Sequence, residues 1–486
     1  MKEVIRNEIM PDLDENYSYL KELFKDNTDM IFRKFNIGKF TGLLIYIDGM
    51  ADKLLLDDYV LESLMIFGDR LKSIEEIKNT LLTVTDIKEE KKLEAALRSM
   101  LSGETLMFID GMDQCYIIAT RAWAARGVSD PSGESVIRGS REGLVETLRF
   151  NTALIRRRIR DTRLRIEMTS VGVRSKTDVA IIYIEDIVNK DVLGKLKQRI
   201  DKIKIDAILD SGYIEQLIED NKWSIFPQLQ ATERPDVVAS AVYEGRIALI
   251  VDNSPFSIIV PTTLVSLFQS PDDYYQRWIF SSVIRFIRFF AIFISLLLPA
   301  LYVAVTSFHT IIIPTRLAYT MAATREGIPF PAYVEAIIME ISMALLVEAV
   351  IRLPKGLGTT IGIVGGLIIG QAAVSAGIVS PVMIIIVSVT AITTFMTPNY
   401  EVVASLRIIR FTLIVAASII GFYGITLLSL VYLIHLVRLE SFGIPYMSPI
   451  VNTRSGDLKD TFIRSPLQAF KKRPDYLNPG DKIRQE

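Results

Sequence analysis

Three glutamates, Glu335, Glu340 and Glu348, fall inside a segment otherwise suited to hydrocarbon. A carboxylate costs roughly 2.5–3.5 kcal/mol to insert into a bilayer, so it faces a cavity, a cation or a basic partner. Glu340 and Glu348 are eight residues apart and so near one helical face. They would attract cations as acidic rings do in channels. Glu348 is equally placed to pair with Arg352, one turn on. A second unusual stretch follows, GTTIGIVGGLIIGQAAVSAG, in which Gly358, Gly362, Gly366 and Gly370 recur every fourth residue. On a helix they form one bare stripe that lets a neighbouring backbone approach closely. The opposite face carries Thr360, Val364, Leu367, Gln371 and Ser375. Either this face lines a narrow, partly wetted conduit, or its polar groups are satisfied by neighbouring helices.

The elements that must hold these residues are apolar spans. The chain has 486 residues, of which 23% are charged, yet its mean hydropathy is +0.32. That mixture predicts a soluble part joined to a membrane part. From residue 1 to about 275 nothing is apolar over a bilayer-spanning length. Beyond Pro271, Phe289 to Ile313 is long enough to cross, with Arg285 and Arg288 marking its cytoplasmic end. Thr359 to Ile378 and Val382 to Thr397 form a tight pair, and Phe411 to Val437 is a final span. The region Pro314 to Leu353 reads as an intramembrane segment. Four spans leave the N-terminal region and the basic tail on one side, with Arg407 and Arg410 outside; five would export the tail.

Other chemistry is excluded or weak. Net charge is −1, which gives no global bias toward nucleic acid. The N-terminus, MKEVIRNEIMPDLDENY, lacks the apolar core of a secretory signal. One cysteine, Cys115, excludes an intrachain disulfide and any multi-cysteine zinc site, and reads as a buried small hydrophobe. His309 and His435 are far apart, with no metal or triad motif near either. No nucleophile–base pair, phosphate-cradling loop or metal cluster appears. The chain does not read as an enzyme, and calls for no metal and no cofactor.

The soluble part carries an internal repeat. GLLIYIDGMADK, from Gly42, resembles DVAIIYIEDIVNK, from Asp178, with Tyr46 matching Tyr183, Asp48 matching Glu185 and Lys53 matching Lys190. At nearly the same offset, GETLMFIDGMDQCYIIAT from Gly103 resembles GRIALIVDNSPFSIIVP from Gly245. There Asp110 matches Asp252, Ile117 matches Ile259 and Thr120 matches Thr262. Two matches at nearly one offset predict a duplicated module of strand, helices and hairpin. Between the copies, Arg138 to Glu167 has helical spacing and many arginines. It reads either as a linker helix with a solvated basic face or as an interface. In the second case Arg156, Arg157 and Arg158 would grip a subunit or anionic lipid headgroups. The divisions expected are an N-terminal extension 1–35, subdomain 36–137, basic linker helix 138–169 and subdomain 170–275. A transmembrane domain 276–440 and a basic tail 441–486 follow. The fold class is thus an α/β cytosolic region of two similar subdomains followed by an α-helical transmembrane domain.

The run EGRIALIVDNSPFSIIVPTTLVSLFQSPDDYYQRW resembles the A subunit of bacterial spore germinant receptors, the GerA family. So do RGSREGLVETLRFNTALIRRRIR, the glycine-rich stretch, and FGIPYMSPI with DLKDTFIRSPLQAFKKRP. The likeness runs in order over nearly the whole chain from about residue 40. It implies a nutrient-responsive receptor subunit in the inner membrane of the dormant spore, with N-terminal region and tail on the spore-core side. It also implies a homo-oligomer around a pore for monovalent cations, working with a transporter-like B subunit and a C-subunit lipoprotein. In that setting the second hairpin, Asp252, Asn253, Ser254, Pro255 and Phe256, is expected to couple the cytosolic module to the first span. Two other readings stay open: an auxiliary relative of the SpoVA group, and a non-conducting scaffold. A metabolite site in a cleft between two α/β lobes is a further variant.

Overall fold

The computed structural model describes residues 5–70, 73–74, 76–122, 131, 133–134, 136–352, 366, 370–451 and 456–485. The chain divides into two units. The first comprises Met1–Asp220, Leu229–Pro261 and Lys471–Glu486; the second comprises Asn221–Gln228 and Thr262–Phe470.

The first unit holds the repeat. Copy one runs from helix α1 (Leu13–Leu23) through β1 (Met30–Ile37) and β2 (Phe40–Ile47) to β3 (Ile87–Glu90), α2 (Leu93–Met100), β4 (Thr105–Ile109) and β5 (Cys115–Ile118). Copy two runs from α3 (Leu148–Arg158) through β6 (Leu164–Val171), β7 (Thr177–Ile184), α4 (Lys190–Asp201), α5 (Ser211–Ile218) and β8 (Gln230–Thr232). It ends with α6 (Pro235–Glu244), β9 (Ile247–Val251) and β10 (Ser257–Val260). The sheet orders are β1-β2-β4-β5-β3 and β6-β7-β9-β10-β8, one topology built twice, with every pairing antiparallel. Apolar residues line both faces of a central strand. Leu43 and Ile45 of β2 pack with Leu20, Leu97 and Met100, whereas Leu44 packs with Val60, Leu64 and Ile77. Cys115 is buried, as its strand position predicts.

The repeat boundaries move. The region expected as an N-terminal extension supplies the first helix and strand of copy one. The expected basic linker helix is α3, the first helix of copy two. Matching hydrogen bonds settle the correspondence. The Leu13 amide donates to Asp110 Oδ1 (3.2 Å) and the Leu148 amide donates to Asp252 Oδ1 (3.1 Å). Asn16 clamps Met10 through both side-chain atoms, and Asn151 clamps Val145 in the same way. Helical periodicity in the arginine-rich stretch was legible; its membership of a repeat was not, because the two first helices share little sequence.

The copies are locked by a buried ion pair. Arg156, fully buried, donates from Nε and Nη2 to the two oxygens of Asp29 at 2.8 Å each, and from Nη2 to Asn27 Oδ1. The C-terminal segment also belongs to this unit: the Gly480 amide donates to Ile187 O (2.9 Å) and Asn189 Nδ2 donates to Leu477 O (3.2 Å). Residues 471–486, within the segment expected as a basic tail 441–486, thus fall in the first unit against copy two.

The second unit is helical: α7 (Leu264–Phe268), α8 (Asp272–Tyr275), α9 (Trp278–Ser307), α10 (Thr315–Thr324), α11 (Ala332–Arg352), a helical stretch at 370–375, α12 (Pro381–Thr394), α13 (Tyr400–Ile420) and α14 (Phe422–Arg438). A two-stranded pair, β11 (Glu440–Ser441) and β12 (Ile444–Pro445), follows. Helices α9 and α13 are long and apolar enough to cross a membrane; α12 and α14 are apolar but shorter. The expected final span from Phe411 to Val437 is instead two antiparallel helices. Gly421 breaks it with φ of 61°, a conformation that side chains resist. Thr412 and Tyr432, placed on either side of the break, meet through their hydroxyls at 2.9 Å. The first span also starts earlier than hydropathy suggests, at Trp278, because Arg285 and Arg288 are accommodated within the helix.

Candidate functional site

Among the described residues of the helical unit, three places concentrate the polar groups singled out in the sequence. In the first, Arg410 of α13 donates to Glu340 of α11 (2.9 Å) and to Thr394 Oγ1 of α12 (2.9 Å), and reaches Ser295 O of α9 (3.3 Å). One buried guanidinium thus ties four helices. Glu335, fully buried, accepts from the Ser380 amide (2.8 Å) at the start of α12 and faces Arg325 at 3.0 Å. Glu348 is exposed and takes the helix contact open to it, accepting from Arg352 Nε at 2.7 Å. Of the three acids expected in the membrane segment, Glu335 and Glu340 are thus buried and Glu348 is in an exposed pair, and Glu340 and Glu348 do not share one environment. Arg410, expected outside the membrane, is the partner that sequence reasoning missed. Glutamates and an arginine on separate apolar segments were the available signal.

The second centre lies at the start of α9. Asp273 accepts from Arg285 Nε (3.1 Å) and Arg288 Nη1 (3.0 Å). Asp460 accepts from Arg285 Nη1 (2.7 Å) and Tyr274 Oη (2.6 Å), and Arg288 also donates to Phe268 O (2.9 Å). Asp273 and both arginines are buried. Arginines three apart on a helix share a face, and that face meets the acid of α8 instead of solvent. The positive flank expected from these arginines is thus internally neutralised. Removing one member of such a buried set costs about 3–5 kcal/mol, because the others stay desolvated and unpaired.

The third is the glycine-rich stretch. Gln371 and Ser375 are exposed. A Cβ at Gly366 would meet nothing within 4 Å, and one at Gly370 would meet only Ile384, at 3.9 Å. These two glycines therefore do not admit a closely packed neighbour among the described residues. Gly358, Gly362, Thr360, Val364 and Leu367 lie outside the described residues.

Two other groups of expected site residues have partners within the first unit. Asn253 has φ of 68° and donates its amide to Glu146 O; Ser254 is buried and its hydroxyl bonds Ser211 at 3.0 Å. With Asp252 on the α3 N-terminus, the turn from Asp252 to Phe256 anchors helices inside copy two. The exit toward the helical unit is at Pro261 and Thr262, the other end of β10. The turn resembles a coupling element in sequence because strand β10 is only four residues long. Likewise Arg156 serves Asp29, and both Arg157 and Arg158 bond Glu142. The first is enclosed within the unit and holds the copies together. Among the described residues no cluster of histidine, cysteine or carboxylate is arranged for a metal.

The comparisons with known proteins converge. The model of the Bacillus/Clostridium GerA spore germination protein family matches residues 18–476. The chain is 42% identical to an uncharacterized membrane protein, YfkQ, of Bacillus subtilis over 97% of this chain and 93% of that protein. It is also 42% identical to spore germination protein KA of the same organism, over 98% and 89% respectively. The crystal structure of the N-terminal domain of the A subunit of the Bacillus megaterium spore germinant receptor GerK3 is 33% identical. It covers 52% of this chain and 95% of its own, with a TM-score of 0.42. On the family match across nearly its whole length, the chain belongs to the GerA family of spore germination proteins.

Proposed function

We propose that this chain is the A-type subunit of a nutrient-responsive spore germination receptor, and that several copies assemble in the spore inner membrane around a path for monovalent cations. The observation that carries the reading is the stretch around Gln371. Among the described residues, Gln371 and Ser375 are exposed and a Cβ at Gly366 would meet nothing within 4 Å, and hydrocarbon leaves such polar groups unsatisfied. Assembly of copies would supply the cover, and a polar strip facing a shared axis would supply a path. The Glu340–Arg410 pair fits a structural role in that setting, holding four helices in register beside the path.

Topology supports the same reading. The C-terminal segment shares a unit with the N-terminal sheets, which supports an even number of crossings. With α13 and α14 separate, six passages satisfy this: α9, α11, the glycine-rich stretch, α12, α13 and α14. Arg407 then lies on the inner half and Arg410 at the middle of α13, an arrangement that the positive-inside tendency tolerates better than the outer placement of a four-span count. Work alongside a transporter-like B subunit and a C-subunit lipoprotein completes the proposal.

The test is potassium release from spores in which Gln371 is replaced by Leu or by Ala, with protein level monitored. The expected result at normal abundance is blocked release with Leu and spontaneous release with Ala. Unchanged release in both would remove this stretch from the path and favour a non-conducting scaffold.

A further inference from the structure

Copy two gives one of its segments away. Its chain leaves the first unit after Asp220 and returns at Leu229, and the stretch Asn221–Gln228 belongs to the helical unit. In copy one the residues preceding the corresponding strand, Leu81 and Leu82 among them, are buried in that subdomain's own core. The exported stretch is a closed, rigid loop. The Asn221 amide donates to Gln228 Oε1 (2.8 Å) and Gln228 Nε2 donates back to Asn221 O (2.7 Å), so one side chain pins both ends. The base is fastened to α13 and α14. Ser224 Oγ is 3.0 Å from His435 Nε2, Phe226 stacks on the His435 ring, and Ser405 Oγ donates to Ile225 O.

At its tip stands Trp223, 95% exposed, with Lys222 exposed beside it. An indole held out by a rigid loop is an expense that a soluble surface avoids. His435 and Ser405 lie toward the ends of α14 and α13 that are remote from the Gly421 turn, and Arg438 closes α14 there. Tyr400, 62% exposed, opens α13 at the same end. Indole and phenol rings, with basic side chains, concentrate where helices leave hydrocarbon for headgroups.

We propose that Asn221–Gln228 is a membrane-interface anchor, with Trp223 seated at the headgroup–acyl boundary of the cytoplasmic leaflet and Lys222 among anionic headgroups. The anchor gives copy two a hold on the bilayer in addition to its covalent link at Pro261. This inference rests on the membrane reading above, and its test separates the two. The full chain carrying Trp123→Phe and Trp278→Phe, with Trp223 as sole indole, is reconstituted into vesicles of phosphatidylcholine and phosphatidylglycerol. Flotation reports membrane insertion; quenching by shallow-brominated lipid reports the anchor. The expected result is protein that floats and whose emission brominated lipid roughly halves, with weak quenching by aqueous iodide. Floating protein quenched by iodide and not by brominated lipid overturns the anchor and leaves the membrane reading standing. Protein that fails to float overturns both. Should the double replacement disturb folding, the difference spectrum between the wild-type chain and Trp223→Phe gives the same answer: a bromolipid-sensitive difference supports the anchor and an iodide-sensitive one refutes it.

Discussion

The two copies of the α/β module end on matching threonines with different partners. Thr120, after β5, bonds Thr105 Oγ1 (2.7 Å), and its carbonyl accepts from the Asp52 amide; copy one closes on itself. Thr262, after β10, belongs to the helical unit and donates its amide to Ser441 Oγ (3.0 Å), which in turn donates to Gln228 O (2.7 Å). The same sheet, in the same strand order, is finished once as a closed lobe and once as an open one. What distinguishes copy two is where its loops and its last strand go. Duplication supplied a scaffold, and specialisation lies in its exits.

The sharpest way to break this comparison is at the first polar centre beyond the open end. Asp273→Ala leaves Arg285 and Arg288 buried with half their acidic partners, at a cost of about 3–5 kcal/mol. The expected outcome is loss of most of the protein from the membrane fraction, measured by immunoblot. A Thr120→Val change at the closed end removes the hydroxyl's bonds to Thr105 Oγ1 and Gly103 O, costs about 1–2 kcal/mol and leaves abundance near normal. Equal losses would mean that the two ends bear on stability alike.

A smaller effect separates the copies at their shared aspartate. In copy one, α1 has its own cap: Asp12 accepts from the Asp14 and Glu15 amides, and Asp110 adds a bond to Leu13. In copy two, Thr147 precedes α3 without a side-chain cap, so Asp252 bears that helix end alone. Asp252→Ala should therefore cost about 1–2 kcal/mol and Asp110→Ala about 0.5 kcal/mol. Denaturant midpoints of the detergent-solubilised chain, followed by hydrogen exchange in α3 and α1, measure both. The reverse ranking would show that the repeat's hydrogen-bond equivalence is not energetic equivalence.

Much of this was legible in the sequence, for identifiable reasons. Alternating apolar strands flanked by turn residues showed the sheets, and Tyr46 with Tyr183 and Asp110 with Asp252 showed the repeat, because strands and turns constrain residue type locally. The correspondence of the two first helices escaped notice because a helix constrains only its periodicity. The break at Gly421 was hidden inside a continuous apolar run, where hydropathy is blind to one left-handed residue. The Asp273, Arg285 and Asp460 centre joins residues far apart in the chain, so no local pattern announces it. Of the glycine-rich face, Gln371 and Ser375 are exposed.

The last contrast, read as a shift with pH, concerns the edge strands. In copy one, β3 leaves Lys88 and Glu89 exposed; in copy two, the segment around Glu134 lies against β8, and Thr232 Oγ1 donates to its carboxyl (2.8 Å). Burial pushes the Glu134 carboxyl up to about 7 from the ordinary 4.5. Between those values the folded chain holds a proton that the unfolded chain has released. Stability therefore falls as pH rises through that window, and the whole penalty is present above about pH 7, on the order of 3 kcal/mol. Glu134→Gln keeps an acceptor for Thr232 and removes the titration. Thermal midpoints of the solubilised chain at pH 5.5 and 7.5 should then differ less in the variant than in the wild type, by roughly 2–6 °C. An identical pH dependence in both would mean that the cover over β8 opens to water, and that the two edge strands are alike after all.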